Sequence, residues 1–282
     1  ATDLDGLEGA AAAEPASVAD PVAVPDPVPV PVSASAERIS RLVGLDEVRA
    51  ALGDRLAGIA KLLADGERAD GRANLVFAGR DGAGRRSVAA LYARALAETG
   101  QCANGALHWV PFTDIPARWP GQAEMYTATL LAEADGGMLF LEADKAFWGR
   151  PDAERDRVLA ALPAAIRSQP GVVLVLSGPA AELESVLRAS PALAGCFAEY
   201  LRFSDYSAAD LAELAGRRLA ARGCVAGEDT VRALHEVFGA GLPGAGAWHA
   251  HRVAAYLAAA AAEKNVTPDD VAAMLRDAAA EL

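Results

Sequence analysis

An α/β fold is predicted, a three-layer arrangement with a parallel sheet covered by helices on both faces and a small all-helical domain after it. Three observations predict it. Apolar runs of strand length alternate with helical patterns between residues 75 and 203. A glycine-rich turn joins the first of those runs, Leu75-Val76-Phe77-Ala78, to a helical run from Val88 to Thr99. From Ser207 onward only helical periodicity is found.

Composition sets the outer bounds. The 282 residues are 52% hydrophobic, enough for one large or two modest cores. A net charge of −12 argues against nucleic acid as a partner, because neutralising phosphates needs a basic field. No apolar run approaches a membrane span, so no membrane partner is expected. The N-terminus lacks the basic start and apolar centre of a secretory signal. The chain opens at Ala1, not Met, which reads as a processed or excised piece of something longer. Cys102, Cys196 and Cys224 show no C-x-x-C spacing, so neither a zinc site nor a disulfide framework is expected, and a reducing cytoplasm fits.

Residues 1–35 read as a disordered acidic linker. Asp3, Asp5, Glu8, Glu14, Asp20 and Asp26 meet no base there, and Pro21, Pro25, Pro27, Pro29 and Pro31 favour an extended chain. Ordered structure is expected from about Glu37. Ile39, Leu42, Val43 and Leu45 lead into Val48, Leu52, Leu56, Ile59, Leu62 and Leu63 on one face of a long helix. Further strands are expected at 107–112, 138–142, 172–177 and 200–203, with helices at 123–134 and 152–168. Ile115 to Gly121 holds two prolines and must be a loop, carrying Trp119. Helices at 207–222, 227–238, 247–263 and 268–281 complete the chain, with Ser207 and Thr267 as N-caps. The expected divisions are 1–35 linker, 36–204 α/β domain and 205–282 helical lid.

The glycine loop, Glu142 and Ser177 all lie at the carboxyl ends of predicted strands, where open parallel sheets bind ligands, so they are expected to converge. Gly79, Gly82 and Gly84 have the spacing of a Walker A loop, G-x-x-G-x-G-K-T, whose backbone N–H groups wrap a phosphate chain at a positive helix end. The candidate phosphate-binding residues are therefore Gly79, Asp81, Gly82, Ala83, Gly84, Arg85, Arg86 and Ser87, with Glu142 and Ser177 opposite. Arg85 stands where that loop has Lys, and Arg86 where it has the Mg²⁺-binding hydroxyl. On these residues alone the stretch is either a phosphate loop that has lost its catalytic groups or a glycine-rich turn. His249 and His251 are two residues apart on a helix and point to different faces, so no metal site is expected. His108 and Trp148 read as packing residues.

In order along the chain, Leu42-Val43-Gly44-Leu45 resembles an "L-x-G-L" motif. Gly136-Gly137-Met138-Leu139-Phe140-Leu141-Glu142-Ala143 resembles "G-G-V-L-F-I-D-E", and Phe203-Ser204-Asp205-Tyr206-Ser207 resembles "F-P-D-Y-S". With the glycine loop, these make residues 40–265 similar to the CbxX/CfxQ branch of the AAA+ superfamily, which includes red-type Rubisco activases and cytosolic ATPases of type VII secretion. The resemblance implies a nucleotide-binding domain with a helical lid, ATP or ADP as cofactor, and ring assembly with other AAA+ domains or subunits on a protein client. It also locates losses. The Walker B Asp becomes Glu142 and the Glu that positions the attacking water becomes Ala143, with Asp144 next to it. The two finger arginines fall on Ala194 and Cys196, and Arg252 is the nearest sensor-2 candidate. Mg²⁺ is not expected to be held well, because Arg86 offers a repelling cation. Trp119 falls at the family's pore-loop aromatic; its other reading is an anchor that packs the loop onto the core. The expected protein is a degenerate, cytoplasmic ATPase-like module with no catalytic residue assigned. The alternatives are a weakly active remodelling ATPase and a protein-interaction module without nucleotide.

Overall fold

In a computed structural model that describes residues 33–240, 246–261 and 264–280, the chain begins with the helix Ala34–Ser40 (α1), capped by the Ser33 hydroxyl. Regular structure starts earlier than Glu37 because Ser35 is buried and gives its N–H and hydroxyl to the Glu98 carboxylate, at 3.0 and 2.7 Å. The linker expected over 1–35 lies, up to residue 32, outside the described residues.

The single long helix expected from Glu37 is two helices, α1 and Asp46–Ala64 (α2). The chain breaks at Gly44, which has φ +66, and a Cβ there would lie 2.7 Å from the Asp210 carboxyl carbon and 2.9 Å from the Tyr206 ring. Only glycine meets both demands at low cost. The apolar face survives the break, with Ile39, Val48, Leu52, Leu56 and Ile59 all buried.

The sheet elements follow: Leu75–Gly79 (β1), Arg85–Thr99 (α3), Leu107–Pro111 (β2), Gln122–Glu133 (α4), Met138–Glu142 (β3), Lys145–Trp148 (α5), Asp152–Ser168 (α6), Val173–Gly178 (β4), Ala180–Ala189 (α7), Pro191–Ala194 (α8) and Glu199–Phe203 (β5). All five strands are parallel, in the order β2-β3-β4-β1-β5. Strands buried on both faces are apolar throughout, which is why β1, β3 and β4 read as unbroken runs. One face packs Phe77, Phe140 and Val175 against Leu52, Tyr92 and Leu96 of α2 and α3. The other packs Val76, Leu139, Leu141 and Leu176 against Leu131, Val158 and Leu162 of α4 and α6. β2 is an edge strand, so His108 is exposed there and does not pack in the core as expected. The turns α5 and α8 are four residues each, too short to show a helical period.

The remaining elements are Ala208–Ala220 (α9), Val225–Ala226 (β6), Glu228–Gly239 (α10), Ala247–Ala260 (α11), Asn265–Val266 (β7) and Pro268–Ala280 (α12). Ser207 and Asp210 form a reciprocal capping box on α9, and Thr267 exchanges the same bonds with Asp270 on α12. Leu211, Leu219, Leu234, Phe238, Leu257 and Val271 make a separate small core. The all-helical expectation is corrected by one feature: β6 and β7 form a two-residue parallel pair, tied down by the buried Thr230 hydroxyl on the Val266 carbonyl at 2.8 Å. Two residues give no period to read.

Candidate functional site

Strand register decides which side chains meet. Glu142 at the end of β3 lies opposite Ser177 on β4 and Pro111 on β2. Side chains alternate faces along a strand. Trp109, Glu142 and Ser177 therefore share the face covered by α3, whereas Leu141, Ala143 and Leu176 belong to the opposite one.

The glycine loop enters that first face. Gly82 and Gly84 have φ of +81 and +86, and Gly79 is so close to β5 that a Cβ would lie 2.8 Å from that of Phe203. Because α3 opens at Arg85, the N–H groups of Arg85, Arg86 and Ser87 have no acceptor within the helix and mark its positive end.

Arg85 turns inward. Its side chain is 5% exposed and donates to Ser177 Oγ at 2.8 Å and Asp81 Oδ1 at 3.0 Å, with Glu142 Oε1 at 3.6 Å. Burial draws its pKa below the ordinary guanidinium value, and Glu142 and Asp81 oppose the shift. A guanidinium starts so high that it stays charged. Arg86 turns outward, donating to Glu142 Oε2 at 2.8 Å and stacking 3.8 Å from the centroid of the Trp109 ring. The Trp109 indole N–H donates to the same Oε2 at 2.7 Å. Glu142 thus lies between two guanidiniums and an indole.

This arrangement does not fit Mg²⁺. That ion needs oxygen ligands in octahedral geometry, yet both Glu142 oxygens face guanidinium groups and the hydroxyl position carries the Arg86 cation. It does fit an anion, through the helix N-terminus and the arginines. Neither of the two positions after Glu142 offers a free carboxylate. Ala143 is fully buried, its N–H donates to the Ser177 carbonyl at 2.7 Å, and its own carbonyl accepts from the Trp148 indole at 3.0 Å. The Asp144 carboxylate accepts from the Phe147 N–H at 2.8 Å and caps α5.

The helices after β5 close over the loop. The Ala247 N–H donates to the Gly82 carbonyl at 3.0 Å and the Tyr206 hydroxyl to the Ala83 carbonyl at 3.2 Å. Burial, with Asp210 beside it, pushes the Tyr206 phenol up to about 12, so it remains a donor. Arg80 pairs with Asp205 at 3.1 Å across the same seam. A Cβ on Gly246 would lie 2.6 Å from the Gly82 carbonyl oxygen. Gly246→Ala is expected to lower stability by about 1–3 kcal/mol, the cost of overpacking, measured by urea unfolding.

Between the two layers lies a cleft of ≈ 710 Å³. Of the candidates, Asp81, Gly82, Gly84, Arg85, Arg86, Ser87 and Glu142 line it. Ser177 lies beneath, reached through Arg85, and Gly79 and Ala83 are buried behind the loop. Trp109, Arg218, Trp248 and His251 also line the cleft. Periodicity did not single out Trp109 or Arg218. The one available signal was their residue type, since each is brought in by an element distant in sequence. Arg252 stacks 4.8 Å from the Trp248 centroid and is not part of the lining. His249 accepts the Gly246 N–H at 3.1 Å, and no group of metal-binding side chains occurs among the described residues. Ala194 and Cys196 end α8 and the turn after it. Trp119 lies outside the cleft and is 61% exposed, so it does not anchor its loop; Arg157 does that, donating to the Ala117 and Arg118 carbonyls at 2.8 and 3.1 Å.

A parallel sheet in this strand order, with a glycine loop at the end of the inner strand β1 and a helical layer closing on that loop, defines an AAA+ fold. No family model matches the chain. It is similar to protein CbbX of Cereibacter sphaeroides, 31% identical over 151 residues, which is 52% of this chain and 48% of that protein. It is also similar to the ESX-1 secretion system protein EccA1 of Mycobacterium tuberculosis, 27% identical over 189 residues, 65% of this chain and 31% of that protein. Among solved structures, the RuvB Holliday junction branch migration motor of Thermotoga maritima aligns with a TM-score of 0.59 at 15% identity, over 83% of this chain and 69% of that one, a likeness of fold alone. The chain is thus similar to proteins of the CbxX/CfxQ branch of the AAA+ superfamily. It spans about half the length of CbbX and less of EccA1. No helix among the described residues is long and apolar enough to cross a membrane.

Proposed function

We propose that this chain is a catalytically degenerate AAA+ module that retains binding of ATP or ADP and does not hydrolyse it. It acts as a structural or regulatory partner of other AAA+ domains or subunits in a cytoplasmic assembly on a protein client, with 36–204 as its nucleotide-binding-like part and 205–282 as its lid. The observation that carries the reading is the Glu142 carboxylate, engaged by Arg85, Arg86 and Trp109 and so withdrawn from metal chemistry. Ala143 adds no base, and Ala194 and Cys196 supply no finger, a group on the order of 10³ to 10⁵ in rate where it operates. The exposed Trp119 is the candidate contact to a client.

The test is ATP turnover with Mg²⁺ over a range of protein concentrations, alone and mixed with an active AAA+ partner. Turnover of the isolated chain is expected to stay at background. Steady Mg²⁺-dependent turnover would favour the weakly active reading, in which Asp144, which also lines the cleft, supplies the base. Asp144→Ala separates the two. It is expected to cost about 0.5–2 kcal/mol through loss of the α5 cap and to leave any ATP turnover unchanged, whereas a catalytic Asp144 would abolish it.

A further inference from the structure

Positive charge in this cleft is carried by side chains, and its distribution is uneven. Arg85 and Arg86 share one carboxylate, Glu142, and Arg85 also pairs with the exposed Asp81 carboxylate. Arg85 is fixed by burial and by Ser177 and Asp81. The Arg86 side chain is 52% exposed and rests on the Trp109 ring, itself 43% exposed. On the opposite wall the exposed Arg218 side chain has no hydrogen-bond or ion-pair partner among the described residues.

We propose that this cleft binds the phosphate chain of a nucleoside di- or triphosphate without a divalent cation, Arg86 moving from Glu142 and Trp109 onto the phosphate while Arg218 reaches it from the other wall. The inference rests on the nucleotide-binding reading above. Releasing Arg86 does not orphan Glu142, which keeps the Trp109 indole N–H and the Arg85 guanidinium beside it. The phosphate gains charge-assisted bonds in exchange, at a helix N-terminus whose first N–H groups are free of helical partners. A Mg²⁺ ion riding on the nucleotide neutralises the oxygens Arg86 would take and approaches two guanidiniums, so it opposes binding. Trp109, stripped of its stacked cation, reports the event.

The experiment is calorimetric and fluorescence titration of the full chain with ADP and ATP, first in EDTA and then in excess Mg²⁺, for the wild type, Arg86→Ala and Trp109→Phe. Saturable binding in EDTA is expected, at least as tight as in Mg²⁺. Arg86→Ala should weaken it about tenfold, the worth of one charge-assisted hydrogen bond, without lowering the unfolding temperature measurably. The fluorescence change should be absent in Trp109→Phe. Binding that requires Mg²⁺ overturns the inference and leaves the nucleotide-holding module standing. No binding under either condition overturns the inference together with the nucleotide part of that reading, whereas binding in EDTA that ignores Arg86→Ala overturns the exchange assigned to Arg86.

Discussion

Ala143→Glu is expected to lower the stability of the chain by about 3–5 kcal/mol, the cost of an uncompensated buried charge, and to leave ATP turnover at background. The substitution places at 143 the residue that the CbxX/CfxQ pattern has after its strand carboxylate. Position 143 nonetheless continues the alternation of β3, and Ala143 packs with Leu141, Leu176 and Leu183 on the face away from the cleft. It is fully buried, and the backbone at Gly178 is so close that a Cβ there would lie 3.3 Å from that of Ala143. A carboxylate placed here meets hydrocarbon and no donor. Urea unfolding beside a turnover assay checks the expectation. A stable variant that gains turnover would mean that this side chain reaches the cleft.

Glu142→Ala should destabilise the protein by about 3 kcal/mol, the low end of the cost of breaking a buried ion pair. It strands the Arg85 guanidinium with only Asp81 and Ser177, and removes the acceptor of the Trp109 indole and of Arg86. Asp81 is 87% exposed and compensates weakly. The sign separates two roles. A carboxylate kept for a metal ion is a liability in metal-free protein, and its removal leaves stability unchanged or raises it. A carboxylate that neutralises buried arginine lowers stability when lost. The double variant Arg85→Met with Glu142→Gln should recover more than half of the deficit, because the buried guanidinium and its half-buried carboxylate then lose their charges together. Equilibrium unfolding without nucleotide or metal reads all three proteins.

The sheet was legible in the sequence because its inner strands are covered on both faces. Leu75 to Ala78, Met138 to Leu141 and Val173 to Leu176 have to be apolar at every position, and a continuous run bounded by glycine or polar residues reports that directly. The αL glycines at 82 and 84 and the caps at Ser207 and Thr267 were legible for a similar reason, since each depends on a few adjacent residues. The helical periodicity of residues 37–63 hid the break at Gly44, because both halves bury the same face and the cause of the break, contact with Tyr206 and Asp210, is more than 160 positions away.

The sequence alone determined the parallel α/β class, the glycine loop and its placement beside Glu142 and Ser177, and that Arg85, Arg86 and Ala143 stand where the pattern it resembles has Lys, a hydroxyl and Glu. Tertiary structure alone decided what those three residues do. Arg86, Trp109 and Glu142 come from α3, β2 and β3, and they meet because the parallel register sets Pro111 against Glu142 and because alternation along each strand turns Glu142 toward the cleft and Ala143 away. Local pattern records whether a side chain is buried. Which charge it finds there depends on strands paired across tens of residues, and only the assembled sheet holds that information.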